Sequence, residues 1–232
     1  MACRGTFCVY ILGFITMKIS TSILAANYAI LGDEIRKLCQ AGSDYLHFDI
    51  MDGNFVQNIS FGSDVIKSLR PYGNAVFDVH LMVNNPDRFI ADFVAAGSDI
   101  ITVHAEAIHD ARSTLAHIKT SGAKAGIAIS PQTHPATIDG LYDIADLILV
   151  MTVNPGAGGQ QFMHSQINKL EYISSVASSY GRHIDISVDG GINAETAKIA
   201  QYSGANVIVA GSYIFRNQDY QHNIQSLRYC SA

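Results

Sequence analysis

From Lys18 onward, short apolar runs alternate with longer segments in which apolar residues recur every three or four positions. The short runs are rich in Val, Ile and Leu and are typical of buried strands, whereas the longer periodic segments indicate amphipathic helices. This alternation favours βα units that build a parallel sheet. The pattern predicts eight strands: Lys18–Ile23, Tyr45–Ile50, Ala75–Leu81, Ile100–His104, Lys124–Ile129, Leu147–Val150, Asp185–Val188 and Val207–Ala210.

Helical periodicity fills the intervals between the strands, and a glycine follows several of these segments where a left-handed helix end is needed. Eight βα units within 232 residues predict a single-domain (β/α)8 TIM barrel, a fold that spans roughly 200–250 residues. An open doubly wound sheet is the alternative, but its G-x-G-x-x-G is missing after the first strand. The predicted helices include Leu31–Gln40, Asp87–Ala96, Ala111–Thr120, Ile167–Ser178 and Ala194–Tyr202, and the glycines are Gly42, Gly97, Gly122 and Gly204.

Residues 1–16 do not fit the βα pattern and are predicted to be an extension outside the fold, with the barrel domain spanning 17–232. Arg4 and the apolar run Phe7–Ile15 resemble the start of a signal peptide. The run is too short to span a bilayer, and no small-residue cleavage site follows it. A start codon assigned too early explains the segment equally well.

The charge and the cysteine content of the chain limit the binding partners and the cellular compartment that we expect. The chain has 15 Lys and Arg against 20 Asp and Glu, so it lacks the basic excess that a phosphate backbone requires, and we expect no nucleic acid partner. We also expect no membrane partner. Cys3, Cys8, Cys39 and Cys230 have no ligand spacing, which argues against a thiolate metal site and a disulfide framework and favours a reducing, cytoplasmic location.

Polar residues concentrate where the predicted strands end, and in a barrel these carboxyl ends form the active-site face. On the second strand, the two-residue period puts His47, Asp49 and Met51 on one face. Other strand ends supply Asp78, His80, Met82, Met151 and Asp189. The three methionines either fill the core or line the site and exclude water from it. Because all three lie at strand ends, the second interpretation is favoured.

Two imidazoles and two carboxylates from three strand ends make a set suited to one divalent cation, namely His47, Asp49, His80 and Asp189. Such ligands suit zinc, iron(II), manganese or cobalt without choosing among them. His104 also ends a strand, two residues before Glu106, and its role stays open. The remaining histidines are expected at the surface: His109, His117, His134, His164, His183 and His222.

Glycine-rich segments follow the sixth, seventh and eighth strands. Any one of them could be an ordinary tight turn, but phosphate binding needs backbone N–H groups that can approach closely, which glycine permits. The loops after the last strands are also the usual phosphate site of such barrels. Three consecutive strand ends therefore predict phosphate binding by Gly156, Gly158, Gly159, Gly190, Gly191, Gly211 and Ser212.

Six motifs, in order, resemble the ribulose-phosphate 3-epimerase family. The resemblance runs from about Met17 to Phe215 and so covers nearly the whole predicted domain. The chain has Ala157 where the family usually carries an aromatic residue on a loop after the sixth strand. The motifs are Ser22–Leu24, His47–Gly53, Asp78–Met82, Val150–Gly156, Val188–Ile192 and Ala210–Ser212.

The resemblance implies an isomerase that interconverts D-ribulose 5-phosphate and D-xylulose 5-phosphate in the pentose phosphate pathway of carbohydrate metabolism. It implies that Asp49 and Asp189 bind the metal and also act as acid and base, that the metal stabilises an enediolate, and that the protein is a homo-oligomer. His47 and His80 would complete the metal site. Substrate or its phosphate would contact Ser22, His80 and the glycine segments, with the Gly156–Gln160 loop closing over it.

The chemistry agrees with this assignment. Inverting a carbon beside a ketone requires one group to remove its proton and another to return a proton on the opposite face. Asp49 and Asp189, on the second and seventh strands, are placed to approach from two sides, with Met51, Met82 and Met151 lining the site. Their pKa values must differ so that one is ionised while the other is protonated.

Three other functions are considered. Because Ala157 could loosen the cover over the sugar, a hexulose phosphate such as D-allulose 6-phosphate is an alternative substrate. A lyase of the orotidine-monophosphate decarboxylase or hexulose-phosphate synthase type is disfavoured, because its Asp-x-Lys-x-x-Asp pattern is missing where Asp49 is followed by Met51. A catalytically silent sugar-phosphate binder would more naturally have lost one aspartate.

Overall fold

The computed structural model describes residues 17–228, in which eight parallel strands close into a barrel. The predicted barrel is therefore confirmed. Four strands extend one residue further toward the active-site end than predicted, whereas β1 ends one residue earlier. The strands are β1 (Lys18–Ser22), β2 (Tyr45–Met51), β3 (Val76–Met82), β4 (Ile100–His104), β5 (Lys124–Ile129), β6 (Leu147–Met151), β7 (Asp185–Asp189) and β8 (Val207–Ala210). The predicted extension 1–16 lies outside the described residues, as do residues 229–232.

Helices cover the outside of the barrel. Three of the predicted helices have the predicted bounds, and the one predicted over Asp87–Ala96 is divided into a 3-10 turn, Pro86–Arg88, and a shorter α-helix. A 3-10 helix, Pro135–Leu141, connects β5 to β6. The α-helices are α1 (Leu31–Gln40), α2 (Ser63–Leu69), α3 (Ile90–Ala95), α4 (Ala111–Ser121), α5 (Ile167–Ser178), α6 (Ala194–Tyr202), α7 (Ser212–Phe215) and α8 (Tyr220–Arg228).

Apolar side chains form one layer between strands and helices and a second layer inside the barrel. On β2, Leu46, Phe48 and Ile50 belong to the outer layer, so His47 and Asp49 point into the barrel because successive side chains alternate in a strand. The predicted face of this strand is thus confirmed. Among residues 17–228, no helix combines the length and the apolar character needed to cross a membrane.

The predicted helix ends are also confirmed. The backbone of Gly42, Gly97, Gly122 and Gly204 has φ between 91° and 107°, the left-handed region that favours glycine. Each of these residues follows a helix and turns the chain back toward the next strand. The carboxyl ends of the strands therefore meet at one mouth of the barrel.

Candidate active site and metal centre

Four side chains predicted to share a cation meet inside the mouth of the barrel. His47 and Asp49 come from β2, His80 from β3 and Asp189 from β7, and one ligand atom of each lies within 4.8 Å of all the others. Both imidazoles and Asp49 are buried, and the Asp189 side chain is 18% exposed. Strands β1 and β8 separate β2 from β7, so the two carboxylates reach the common centre from different sides.

Asp78 orients the ring of His47. The His47 Nδ1 atom lies 2.8 Å from Asp78 Oδ2, so Nδ1–H donates to the carboxylate and Nε2 faces the centre. That Nε2 atom is 3.4 Å from Asp49 Oδ1 and 3.9 Å from Asp189 Oδ2. A carboxylate behind a histidine is a common arrangement around bound metals, because it sets the ring's tautomer and orientation.

His80 faces the same centre with its other nitrogen. Its Nδ1 atom lies 3.2 Å from Asp49 Oδ1 and 3.4 Å from His47 Nε2. Its Nε2 atom points away from the centre and is 2.9 Å from His104 Nε2. The sequence left the role of His104 open, and the structure shows it buried against a ligand candidate.

The two carboxylates have opposite pKa shifts. Burial alone would raise the pKa of Asp49, but the charge of His47 and its hydrogen bond outweigh burial and hold this pKa well below its usual range. Burial, followed by repulsion from Asp49, raises the pKa of Asp189 to about 7. Near neutral pH, Asp49 is therefore ionised while Asp189 holds its proton for much of the time.

The centre also favours positive charge. Burial would lower the pKa of His47, yet the carboxylates of Asp78 and Asp49 raise it well above its ordinary value. Burial lowers the pKa of His80. A pocket that stabilises a charged imidazole between two carboxylates provides the same electrostatic environment for a cation.

These observations test whether the residues fit a divalent metal. Two ring nitrogens and two carboxylate oxygens lie within 4.8 Å of one another, and this donor set suits borderline divalent cations. In His47, the nitrogen that does not face the centre has a carboxylate partner. The residues therefore fit the metal, and the group could hold one ion.

A cavity of about 320 Å³ opens directly above the centre. Asp49 and Asp189 form part of its floor, and Ser22 Oγ donates to Asp49 Oδ2 over 2.8 Å. His80, also predicted to contact substrate, is fully buried and does not line the cavity. The other predicted residues that line it are Ser22, Met51, Met82, Met151, Gly156, Gly158, Gly159, Gly190, Gly191, Gly211 and Ser212.

Glycine is required by close packing after β7. Gly191 has φ of +67°, and a Cβ atom there would lie 2.2 Å from the backbone nitrogen of Phe162. Gly190 has φ of +121°, and its Cβ would collide with Val153. Any larger residue would therefore displace the loop that follows β6, which forms one wall of the cavity.

The structure also assigns places to residues that the sequence left aside. Asp78 was noted only as a strand-end residue; its signal was its position two residues before His80 on the same face. Leu24, Asn154 and Gln160 line the cavity without an individual prediction. The six histidines predicted at the surface are all exposed.

Comparison with known proteins identifies the family. The model of the ribulose-phosphate 3 epimerase family matches residues 18–215, which is nearly the whole described fold. The chain belongs to this family. The ribulose-phosphate 3-epimerase family is a family of isomerases, and the match bears out the resemblance seen in the motifs.

Individual relatives agree with this assignment. The chain is 43% identical over 213 residues to the ribulose-phosphate 3-epimerase of Bacillus subtilis, an alignment that covers 91% of this chain and 98% of that protein. It is 42% identical to the chloroplastic ribulose-5-phosphate-3-epimerase of Arabidopsis thaliana, with 90% of this chain and 75% of that protein covered.

A solved structure outside the family shares the fold. The 3-hexulose-6-phosphate synthase of Salmonella typhimurium superposes with a TM-score of 0.64 at 20% identity, covering 92% of this chain and 98% of that one. At this identity the likeness shows a common barrel fold and says nothing about the reaction.

Proposed function

We propose that this protein interconverts D-ribulose 5-phosphate and D-xylulose 5-phosphate, with His47, Asp49, His80 and Asp189 as ligands of one divalent metal ion. The observation that carries the proposal is the pair Asp49 and Asp189, which reach one centre from two strands with opposite pKa shifts. Zinc, iron(II), manganese and cobalt all suit the donor set.

The two aspartates have complementary tasks. Ionised Asp49 takes the proton from C3 on one face. The electron pair of that C–H bond forms a C2=C3 double bond while the π pair of the C2 carbonyl moves onto its oxygen, which gives the enediolate. Protonated Asp189 then returns a proton to C3 on the opposite face, which inverts the carbon; the reverse reaction exchanges the roles. When bound, the metal would act as a Lewis acid that stabilises the negative charge on the sugar oxygens.

Other residues bind and shield the sugar phosphate. The Ser22 hydroxyl holds one oxygen of Asp49 and so orients the carboxylate. The segments Gly190–Gly191 and Gly211–Ser212 let phosphate approach the backbone, and α7 begins at Ser212 without a side-chain cap, which leaves N–H groups for an anion. Met51, Met82 and Met151 keep water from the reacting carbon.

The wider setting follows from the same assignment. We place the catalytic domain from residue 17 onward and infer a homo-oligomer in the cytoplasm, acting in the pentose phosphate pathway. Family membership supports the pathway and the oligomer, and the absence of ligand spacing among the four cysteines supports a reducing compartment. Its partner would be a small sugar phosphate.

Substitution of each aspartate tests the mechanism. Asp49→Asn and Asp189→Asn are each expected to lower kcat for epimerisation by about 10²- to 10⁴-fold or more, because each removes one proton-transfer group. The measurement is a coupled assay with D-ribulose 5-phosphate, and the exposed Asp64→Asn on α2 serves as the control with unchanged kcat. Full epimerisation by either active-site variant would exclude the two-carboxylate mechanism.

Solvent-deuterium exchange separates the two faces. In D2O the wild-type protein should place deuterium at C3 of its product, because the returned proton comes from the second acid. Any exchange that survives in Asp49→Asn and in Asp189→Asn should occur with opposite epimers. Exchange with the same epimer in both variants would contradict the assignment of one aspartate to each face.

The size of the sugar needs its own measurement. Ala157 is small and exposed at the edge of the cavity, so a longer sugar is the competing substrate. We expect kcat/KM to be higher for D-ribulose 5-phosphate than for D-allulose 6-phosphate. The opposite order would replace the pentulose with the hexulose and leave the reaction type unchanged.

A further inference from the structure

A line of hydrogen-bonding groups runs away from the metal centre through the end of β4. Glu106 Oε2 lies 3.0 Å from His104 Nδ1, and His104 Nε2 lies 2.9 Å from His80 Nε2. His80 Nδ1 then faces the centre beside Asp49. His80 and His104 are fully buried, and the Glu106 side chain is 27% exposed.

The two histidine rings meet by their edges. Their centroids are 5.0 Å apart and their planes differ by 28°, whereas the facing nitrogens are only 2.9 Å apart. Because the nitrogens are closer than the centroids, the contact is a hydrogen bond between rings and requires one proton between the two nitrogens.

The carboxylate at the outer end determines where that proton lies. An ionised carboxylate can only accept, so His104 must carry its proton on Nδ1 and leave Nε2 as an acceptor. His80 must then donate from Nε2. The lone pair of His80 Nδ1 is thereby directed into the centre, where a metal ligand needs it.

The opposite assignment of donor and acceptor would prevent His80 from binding a metal. If His104 donated from Nε2, His80 Nε2 would have to accept, and the proton of His80 would sit on Nδ1, facing the metal position. Metal binding is thus compatible only with hydrogen bonds in which His80 donates to His104 and His104 donates to Glu106.

We propose that Glu106 and His104 are positioning residues that hold His80 in the tautomer required for metal binding. This inference rests on the proposed function, since it assumes the metal site formed by His80 and its three partners. Neither positioning residue needs to touch the substrate. Their effect reaches the reaction through the strength and geometry of one metal ligand.

Glu106 is itself fixed by donors from the segment after β5. Its Oε1 atom accepts from the backbone N–H of Ser130 over 2.8 Å and from the Thr133 hydroxyl. The Lys169 amine donates to the carbonyl oxygens of Ser130 and Pro131 at 2.8 and 3.1 Å. Since Oε1 already has these donors, Oε2 is the oxygen that is left to face His104.

The same donors make Glu106→Gln an informative change. The N–H of Ser130 can only donate, so the amide oxygen of the new side chain must stay beside it. Its NH2 group then faces His104 Nδ1 and donates where Glu106 accepted. The hydrogen bonds that link position 106, His104 and His80 all reverse their direction, and the proton of His80 moves to Nδ1.

Zinc affinity and the tautomer of His80 are the two measurements. Competition with a chromophoric chelator should show Glu106→Gln binding Zn²⁺ about 10- to 100-fold more weakly than wild type, while the exposed Glu171→Gln on α5 binds normally. Histidine ¹⁵N chemical shifts of the zinc-free protein should place the His80 proton on Nε2 in the wild type and on Nδ1 in Glu106→Gln.

A second variant distinguishes positioning from general structural support. His104→Phe interrupts the chain, so adding Glu106→Gln to it should cause no further loss of zinc affinity, because coupled residues are not additive. Additive losses, or a Glu106→Gln variant with normal affinity and an unchanged His80 tautomer, would overturn this inference alone. If His80→Ala bound zinc as tightly as the wild type, the proposed metal site would be wrong, and this inference would fail with it.

Discussion

Asp49 and Asp189 carry the same functional group, and their neighbours shift their pKa values in opposite directions. Asp49 lies beside the charged His47 imidazole and accepts from the Ser22 hydroxyl, so its ionised form is stabilised. Burial in the same centre, followed by repulsion from the charge of Asp49, raises the pKa of Asp189 to about 7. Proximity within one low-dielectric site thus gives the two carboxylates the unequal protonation states that the proposed acid–base pair requires.

At Gly191 the absence of a side chain is a steric requirement. Gly191→Ala should lower the free energy of unfolding by about 2–4 kcal/mol, because a strained backbone and a collision with Phe162 combine. Gly181→Ala is the matched control, since Gly181 has a similar φ of +62° but open space around its Cβ position. Urea unfolding and KM for the sugar phosphate are the measurements; equal losses in both variants would exclude the collision.

At the scale of elements, the segment between β7 and α6 keeps the Gly190–Gly191 turn next to Asp189. Asn193 accepts hydrogen bonds from the backbone of Glu195 and Thr196, and the Thr196 hydroxyl accepts one from the Asn193 backbone. This capping box places the N-cap of α6 two residues after Gly191. The start of α6 therefore fixes where the Gly190–Gly191 turn can lie.

Removal of the cap tests this element. Asn193→Ala should cost about 1 kcal/mol of stability, because two backbone N–H groups at the start of α6 lose their acceptor. Asn193→Asp keeps an acceptor oxygen and should retain most of the stability. Thermal unfolding of both variants gives the comparison, and a loss of equal size in the two would show that the side-chain oxygen is not what stabilises the helix.

At the scale of the whole molecule, the end of the barrel opposite the active site is joined around Asp185. This buried carboxylate accepts from Lys18 on β1, Tyr45 on β2 and Asn206 just before β8. Burial alone would raise the pKa of Asp185, but the hydrogen bonds and charges of Lys18 and His183 outweigh it and lower this pKa. Three neighbouring parts of the barrel are therefore tied to one charge on β7.

The charge on Asp185 should make stability depend on pH. Because its folded pKa lies below the unfolded value of about 3.9, its contribution is present above that pH and is lost as the pH falls toward the folded pKa. Asp185→Asn should cost about 1–3 kcal/mol at pH 7, and the difference from wild type should shrink below about pH 4. Urea unfolding of wild type and Asp185→Asn between pH 7 and below about pH 4 measures this difference, with Asp64→Asn as the control. A difference that does not change with pH would contradict the role of the charge.

Much of the site could be read from local pattern. Period-two alternation placed His47 and Asp49 on one face of a strand, and the structure shows that face inside the barrel. Three helices also had their predicted bounds, because long periodic segments carry a strong signal. Short helices such as α2 and α7 carry little periodicity, and the 3-10 turn before α3 divided a segment that looked uniformly helical.

The remaining features depend on which strands become neighbours. In the barrel Asp78 pairs with His47, and His80 with Asp49, across the β2–β3 register, and this register gives Asp78 its role. His104 contacts His80 only because β4 lies beside β3. No local pattern contains these distances, since they result from the stagger between strands.

The amino-acid sequence by itself determined the βα repeat, the inward-facing strand residues and the glycine-rich segments, because these follow from side-chain periodicity and backbone freedom. Tertiary structure alone decided which of the two aspartates has the lowered pKa and which has the raised one. It also decided that Glu106 reaches His80 through His104. Electrostatic coupling and hydrogen-bond direction depend on separations of a few ångströms, and barrel closure sets those separations.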